Sequence, residues 1–183
     1  MTEQGVDYEA FGRLIDWQIE QGINALVIAG TTGEGSTLTL EEHEEVLAYA
    51  IKRIAGRVPA IAGTGSNDTA CAIDMTRAAC EMGYDACLVV TPYYNKTTQA
   101  GLVKMYQAIA DASTKPLILY NVPSRTGINI DVSTYEALAD HPNIKAIKEA
   151  NGNISLIVAA AAAVGDKLDI YSGNDDQIIP IMS

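Results

Sequence analysis

The stretch NIKAIKEANG, residues 143–152, reads as a short buried strand that ends in charged residues. Three of the four residues 144–147 are apolar, and Lys148 and Glu149 follow where such a strand leaves the core. A lysine amine at that position has to be solvated, paired with a carboxylate or used in chemistry. The same pattern of apolar run and polar end recurs along the chain, and this recurrence decides the fold class.

Short apolar runs occur at residues 24–29, 58–63, 86–91, 116–122, 143–148 and 168–173. Most are rich in β-branched residues and lack polar alternation, which is typical of strands covered on both faces. Successive runs begin about 25–34 residues apart, the length of a strand plus a returning helix. The runs therefore predict a series of parallel strands joined by helices.

Helical patterns fill the segments between these runs, over residues 7–21, 68–82, 99–113 and 154–164. Gly22 and Gly83 follow two of them and predict helix ends. Thr39 with Glu42, and Ser133 with Glu136, have the S/T-x-x-E spacing of a capping box at a helix start.

Alternating strands and helices fit either a doubly wound open sheet or a (β/α)8 barrel. A barrel needs eight strands and about 250 residues, whereas this chain of 183 residues has six such runs. Because the chain opens with a helix and stops where another helix would begin, we expect a partial barrel over residues 1–183. Its sheet should be open between the strands at 24–29 and 168–173.

Polar residues collect where the predicted strands end, in the segments GTTGEGS (30–36), GTGSND (63–68), TPYYN (91–95), YNVPSRTG (120–127), KEANG (148–152) and SGNDD (172–176). In both architectures that edge of the sheet is the place where ligands bind. Six polar segments at one edge therefore predict a binding site.

Individual residues at this edge also have ordinary interpretations. The glycine-rich loops lack the spacing of phosphate-binding loops. Tyr93, Tyr94 and Tyr120 fit aromatic packing, Arg125 fits a surface arginine, and His43, within EEHEEV, is predicted to lie on a solvated helix face.

Lys148 has two readings that the residue types alone leave open. An exposed lysine has a pKa near 10.4, so only about 1 molecule in 2,500 carries a neutral amine at pH 7. Burial at the mouth of the sheet would lower that pKa, and a neutral amine forms a Schiff base with a carbonyl. The phenol of Tyr120 could then move protons, Thr31 and Thr32 could hold a carboxylate, and Arg125 could hold a second one. The alternative is an ion pair between Lys148 and Glu149 or another carboxylate.

Composition excludes several classes of function. The net charge of −11 and the pI near 4.4 offer nucleic acid no basic surface. Cys71, Cys80 and Cys87 form no C-x-x-C pair and fit reduced packing residues, or a reactive thiol, and they predict a reducing compartment. No metal-ligand spacing and no long apolar run occur, so we expect a cytoplasmic protein without a metal or other cofactor.

Four motifs, GTTGE (30–34), TPYYN (91–95), YNVPSRTG (120–127) and IKEA (147–150), resemble those of the dihydrodipicolinate synthases in order and spacing. These are (β/α)8 enzymes of the pyruvate-dependent class I aldolase and lyase superfamily. The resemblance covers essentially the whole chain. It implies condensation of pyruvate with aspartate semialdehyde, on the pathway to lysine and diaminopimelate, by a cytoplasmic homo-oligomer.

The resemblance also implies a role for each matching residue: Schiff-base formation by Lys148, proton relay by Tyr120, Thr31 and Tyr94, pyruvate binding by Thr32 and Gly173, and aldehyde-substrate binding by Arg125. Tyr94 would reach the active site of an adjacent subunit. Related N-acetylneuraminate lyases lack the arginine of SRTG, so Arg125 favours the synthase over another pyruvate aldolase.

Two departures from the family pattern bear on function. Lysine-inhibited members bind lysine with positions matching His43, Asn67 and Tyr93, and have an acidic residue where this chain has Cys71. Complete members also have a first strand, an eighth strand and a C-terminal helical region beyond the part that matches. We therefore expect the isolated 183-residue polypeptide to associate and to be essentially inactive. The alternative hypothesis from a different class is a catalytically inactive chain that serves at most as a binding or assembly partner.

Overall fold

The strands of this protein form one sheet in which each strand pairs only with its neighbours in the sequence. The computed structural model describes residue 2 and residues 5–182. Within that part, the strands are β1 (Leu26–Ile28), β2 (Ala60–Gly63), β3 (Ala86–Val90), β4 (Leu117–Asn121), β5 (Ile144–Glu149) and β6 (Asp169–Ser172). All neighbouring pairs are parallel.

Helices connect these strands: α1 (Tyr8–Glu20), α2 (Leu40–Ile54), α3 (Thr69–Met82), α4 (Gln99–Ala112), α5 (Pro123–Thr126), α6 (Val132–Leu138), α7 (Ile154–Val164) and α8 (Ile178–Met182). The strands and longer helices lie close to their predicted positions. The short helix α5 was not predicted, although the proline at its first position is a common helix-start signal.

The strand order distinguishes the two predicted architectures. A doubly wound sheet reverses its strand order at a switch point, whereas here the order follows the chain from β1 to β6 without reversal. In the described part of the chain, β1 and β6 each pair on one side only. The partial (β/α)8 barrel, open between its first and last strands, is therefore confirmed.

The core has two parts, one on each face of the sheet. The larger cluster packs the helices against the sheet and includes the fully buried Leu47, Ile109 and Leu119. A smaller cluster on the other face contains Leu88, Tyr120, Val122 and Ala150. Side chains alternate between the two faces along a strand. Most of the buried apolar side chains therefore lie between the sheet and the helices, on the outer face. The opposite, inner face carries the smaller cluster and has room for a few polar residues.

The first of the two predicted capping boxes is present. Thr39 accepts a hydrogen bond from the Glu42 amide (3.2 Å), and the Glu42 carboxylate accepts one from the Thr39 amide (2.9 Å). These bonds satisfy two donors that would be unpaired at the start of α2.

The prediction of a capping box at Ser133 is wrong, because α6 begins two residues earlier than that box requires, at Val132. Asp131 precedes the helix, and no side chain makes a capping hydrogen bond there. Instead, the Gln99 side chain accepts hydrogen bonds from the Asp131 amide (3.1 Å) and the Thr134 hydroxyl (2.6 Å). A contact from α4 therefore sets the start of α6, and Ser133 lies inside the helix.

Single replacements of Thr39 and Ser133 by alanine should show which of the two residues caps a helix. Thr39→Ala should lower the free energy of unfolding by about 1 kcal/mol, since it removes a capping oxygen. Ser133→Ala is the matched control and should change it by less than about 0.5 kcal/mol. Urea unfolding measures both, and equal losses would contradict the assignment of the helix starts.

Candidate active site

Two cavities open where the strands end, at their carboxyl edge. The amine cavity has a volume of about 250 Å³, and its lining includes Thr31, Thr32, Tyr120, Arg125, Lys148 and Gly173. The side cavity has a volume of about 410 Å³, and its lining includes His43, Ser66, Cys71, Met75 and Tyr93. Thr31, Tyr120 and Arg125 line both. The polar edge predicted from the sequence is therefore a continuous concave surface.

Lys148 is half-buried at the end of β5 and lies against an aromatic ring. Its Nζ atom is 4.3 Å from the centroid of the Tyr120 ring, and the two residues are register partners in β4 and β5. Burial lowers the pKa of Lys148 below its ordinary value. The face of the ring favours the ammonium form, whereas desolvation disfavours it. The neutral amine of Lys148 is therefore easier to form than that of a fully exposed lysine.

The alternative of an ion pair between Lys148 and Glu149 is excluded by their orientation. Consecutive strand residues point to opposite faces of the sheet. Glu149 is completely buried, and its Oε1 atom accepts a hydrogen bond from Asn121 (2.8 Å) and another from the Tyr135 hydroxyl. Lys148, on the other face, lines the amine cavity.

Gly173 lies directly beside the lysine stem. A Cβ atom added at Gly173 would lie 2.9 Å from the Ala150 Cβ and 3.2 Å from the Lys148 Cε. The Gly173 amide also donates a hydrogen bond to the Glu149 carbonyl (2.6 Å). Glycine here leaves room for the amine to reach a ligand.

Thr31 and Thr32 are exposed on the loop after β1 and face the amine cavity. The loop turns sharply, with positive φ angles at Ala29 (53°) and Glu34 (57°). The Glu34 amide closes it by donating to the Thr31 carbonyl (3.1 Å). Two hydroxyl groups are thus available to a polar ligand in the cavity.

Arg125 is exposed and is carried into both cavities by α5. Buried Thr126 anchors this helix, because its hydroxyl accepts a hydrogen bond from Thr91 (2.9 Å) at the end of β3. Gly127 ends the helix with a φ of 72°. The short helix that carries the guanidinium is therefore held in place by a buried hydrogen bond, and the charge is available to an anionic ligand.

The structure places the remaining predicted residues apart from the amine. Tyr93 lines the side cavity. Tyr94 is 93% exposed, has a φ of 69° and lines neither cavity. Asn67 also lines neither cavity, and its carbonyl accepts a hydrogen bond from the Asn95 side chain (2.9 Å). Within the described part of this single chain, Tyr94 therefore does not reach Lys148.

The prediction that His43 lies on a solvated helix face is wrong. Its ring is largely buried, and its Nε2 lies 2.9 Å from the Gly63 carbonyl at the end of β2. Since a carbonyl only accepts, Nε2 carries the proton. Desolvation lowers the pKa of His43. The acidic neighbours in EEHEEV point elsewhere on the helix, because adjacent helical residues do not share a face.

The buried polar network around Glu149 was not predicted from the sequence. It joins Asn121, Tyr135 and Glu149, three residues at otherwise apolar positions of β4, α6 and β5. Each is polar within a buried run, which is the signal that could have found them.

Two kinds of feature are absent from residue 2 and residues 5–182. No helix there is long and apolar enough to cross a membrane. No group of three or more His, Cys, Asp or Glu side chains is arranged to hold a metal ion.

Selective amine modification should reveal the lowered pKa of Lys148. In trace acetylation followed by peptide mass spectrometry, the reactivity of Lys148 should titrate at a lower pH than that of Lys145. Lys145 is the matched control, since it is exposed on the same strand. Burial favours the neutral amine of Lys148, so its reactive form appears first as the pH rises. Coincident titrations would contradict the burial of the amine.

Comparison with known proteins places this geometry in a family. The model of the Dihydrodipicolinate synthetase family matches residues 1–183. A 4-hydroxy-tetrahydrodipicolinate synthase of Clostridium perfringens is 50% identical over 182 residues, covering 100% of this chain and 62% of that protein. The chain thus spans less than two thirds of the length of the curated relatives it matches.

Solved structures agree with this match. The dihydrodipicolinate synthase from Aquifex aeolicus superposes with a TM-score of 0.97 at 45% identity, covering 100% of this chain and 62% of that one. The enzyme from Acinetobacter baumannii, solved in complex with pyruvate, has a TM-score of 0.96 at 48% identity over the same shares. With the whole chain matched in sequence and in fold, the protein belongs to the dihydrodipicolinate synthetase family.

Proposed function

We propose that the full-length protein containing this chain is a Schiff-base lyase that condenses pyruvate with aspartate 4-semialdehyde. The observation that carries this proposal is Lys148, a half-buried amine without a carboxylate partner among the described residues, lying over the Tyr120 ring in a cavity of about 250 Å³. The pyruvate complex of the Acinetobacter baumannii relative supports pyruvate as the first substrate.

In the proposed reaction, the neutral amine of Lys148 adds to the ketone carbon of pyruvate, and loss of water gives an iminium ion. Loss of a proton from the adjacent methyl group gives an enamine, whose carbon attacks the aldehyde of the second substrate. Tyr120, beside the amine, moves protons in these steps. Thr31 takes part in the relay, Thr32 and the Gly173 backbone bind the pyruvate carboxylate, and the imine replaces any separate cofactor.

Arg125 binds the carboxylate of aspartate 4-semialdehyde in this proposal. A guanidinium matches a planar carboxylate with two parallel hydrogen bonds. Arg125 lies on α5 and lines both cavities, so its positive charge is available to the carboxylate of a second substrate.

We propose that the active protein is a homo-oligomer, a dimer or tetramer. Tyr94 supports this proposal, because it is 93% exposed and is held at a positive φ of 69°. In the proposed assembly it completes the proton relay of an adjacent subunit. The full-length enzyme would work in the cytoplasm, in lysine and diaminopimelate biosynthesis, whereas the isolated 183-residue chain would be inactive.

Borohydride reduction in the presence of pyruvate should label Lys148 and no other lysine of the full-length protein. The reduced adduct is located by peptide mass spectrometry. Lys148→Ala should abolish labelling, whereas Lys145→Ala, on the same strand but exposed, should leave it intact. Labelling at Lys145 or Lys104, or labelling that survives in Lys148→Ala, would reject the proposed role.

Arg125→Ala should separate the two half-reactions. Imine formation with pyruvate should be spared, while condensation with aspartate 4-semialdehyde should lose about 2–4 kcal/mol of transition-state stabilisation, as for a missing charge-assisted contact. Single-turnover trapping measures the first step and steady-state turnover the second. Equal damage to both steps would mean that Arg125 supports the pyruvate site or the fold instead. If the unmodified protein prefers sugar-derived aldehydes to aspartate 4-semialdehyde, that preference would favour the alternative function of another pyruvate aldolase.

A further inference from the structure

A buried hydrogen-bond network lies directly behind the site, on the helix side of the sheet. Glu149 and Asn121 are both 0% exposed. Glu149 Oε1 accepts from the Asn121 side chain (2.8 Å) and from the Tyr135 hydroxyl of α6. Asn121 Oδ1 accepts from the Ile130 amide (3.1 Å). The network thus connects the ends of β4 and β5 to the segment that leads into α6.

The network shares its register with the catalytic pair. Tyr120 pairs with Lys148 across β4 and β5, and the next pair along is Asn121 with Glu149. Because successive side chains alternate between faces, the first pair faces the cavity and the second faces the helices. Any shift of one residue between the strands would exchange the two faces and remove Lys148 from the cavity.

The pairing of β5 with β4 is irregular at the beginning of the strand. Leu117 pairs with Ile144, but Ile118 pairs with Ala146, so the pairing skips Lys145. From Ala146 to Glu149 the register is regular, and the hydrogen bond between Asn121 and Glu149 lies at that end of the strands. This contact is therefore placed to hold the register that positions Lys148.

Burying Glu149 has a cost that the network only partly offsets. No described residue makes a well-formed hydrogen bond to its Oε2 atom, which is fully buried. Burial raises the pKa of Glu149, and the hydrogen bonds from Tyr135 and Asn121 oppose this shift. An apolar residue of similar volume would remove that cost. Buried polar groups are retained in some proteins because they specify a unique arrangement.

We propose that Glu149 is a positioning residue for Lys148. Through Asn121 and Tyr135, it holds the end of β5 in the register that keeps the lysine amine half-buried over the Tyr120 ring. This inference rests on the proposed function only for the role of the amine, which is Schiff-base formation with pyruvate. The position of the amine itself can be tested without any substrate.

The test compares Glu149→Met with Glu149→Gln in the full-length protein, using two readouts. The first is the pH midpoint of Lys148 acetylation without substrate, and the second is the rate of borohydride trapping with pyruvate. Methionine fills the space but makes no such hydrogen bonds, so the midpoint should rise towards that of Lys145 and trapping should slow by about tenfold or more, as for a misplaced reacting group. Glutamine keeps the accepting oxygen, so it should restore the midpoint and most of the rate.

Tyr135→Phe provides a second variant that removes one hydroxyl from the network. Its matched control is Tyr84→Phe, because Tyr84, like Tyr135, is buried (0% and 2% exposed) and donates to a carbonyl, that of Leu47 (2.9 Å), away from β5. Both changes should lower the melting temperature, but only Tyr135→Phe should raise the Lys148 midpoint. This comparison decides the question if Glu149→Met does not fold.

An unchanged Lys148 midpoint in the folded Glu149→Met or Tyr135→Phe protein would overturn the positioning role. A shifted midpoint in Glu149→Gln equal to that in Glu149→Met would also overturn it, since the effect would then come from the charge and not from the hydrogen bonds. If the unmodified protein forms no pyruvate adduct while the midpoint still shifts in Glu149→Met, the proposed function fails and the positioning role stands.

Discussion

The parallel register between β4 and β5 is the constraint on which the site depends. It pairs Tyr120 with Lys148 on the inner face and Asn121 with Glu149 on the outer face. One face therefore carries the amine that lines the cavity, and the other carries the polar contacts between strand and helix. Strand-by-strand pairing in chain order then brings the loops after the other strands to the same edge.

Desolvation shifts the pKa values of the two consecutive residues on opposite faces of β5 in opposite directions. On the inner face, partial burial lowers the pKa of Lys148, as the proposed nucleophile requires. On the outer face, full burial raises the pKa of Glu149, and hydrogen bonds from Tyr135, Asn121 and Asn151 limit that shift. A barrel strand that ends at its carboxyl edge can combine both environments within two consecutive residues, because its side chains alternate between cavity and core.

The sequence was sufficient for the elements and for the edge at which the site forms, because both depend on local patterns. Apolar runs and helix periodicity located the strands and the longer helices, and polar segments marked the strand ends. His43 and Ser133 were misread because their local motifs matched, while contacts from other elements decide their environments: Gly63 for His43 and Gln99 for the start of α6. Neither contact is visible in a short sequence window.

The Glu149 network was missed for the same physical reason. Tyr135 and Glu149 are 14 residues apart, and Asn121 and Glu149 are 28 residues apart, so only the folded sheet brings them together. Lys148 was singled out from the sequence, but whether its amine faces the cavity or pairs with Glu149 could not be decided until the alternation of side chains along β5 was observed. Local chemistry was thus predictable, whereas its orientation required the tertiary structure.

The decisive measurement is a crystal structure of the full-length protein soaked with pyruvate. Continuous electron density from the Lys148 Nζ atom to the second carbon of pyruvate, with the Tyr120 hydroxyl beside the new bond and Glu149 still bonded to Asn121, is the predicted result. Pyruvate bound elsewhere, or an unmodified Lys148 turned away from Tyr120 in an occupied cavity, would contradict the assignment of this amine as the centre of the site.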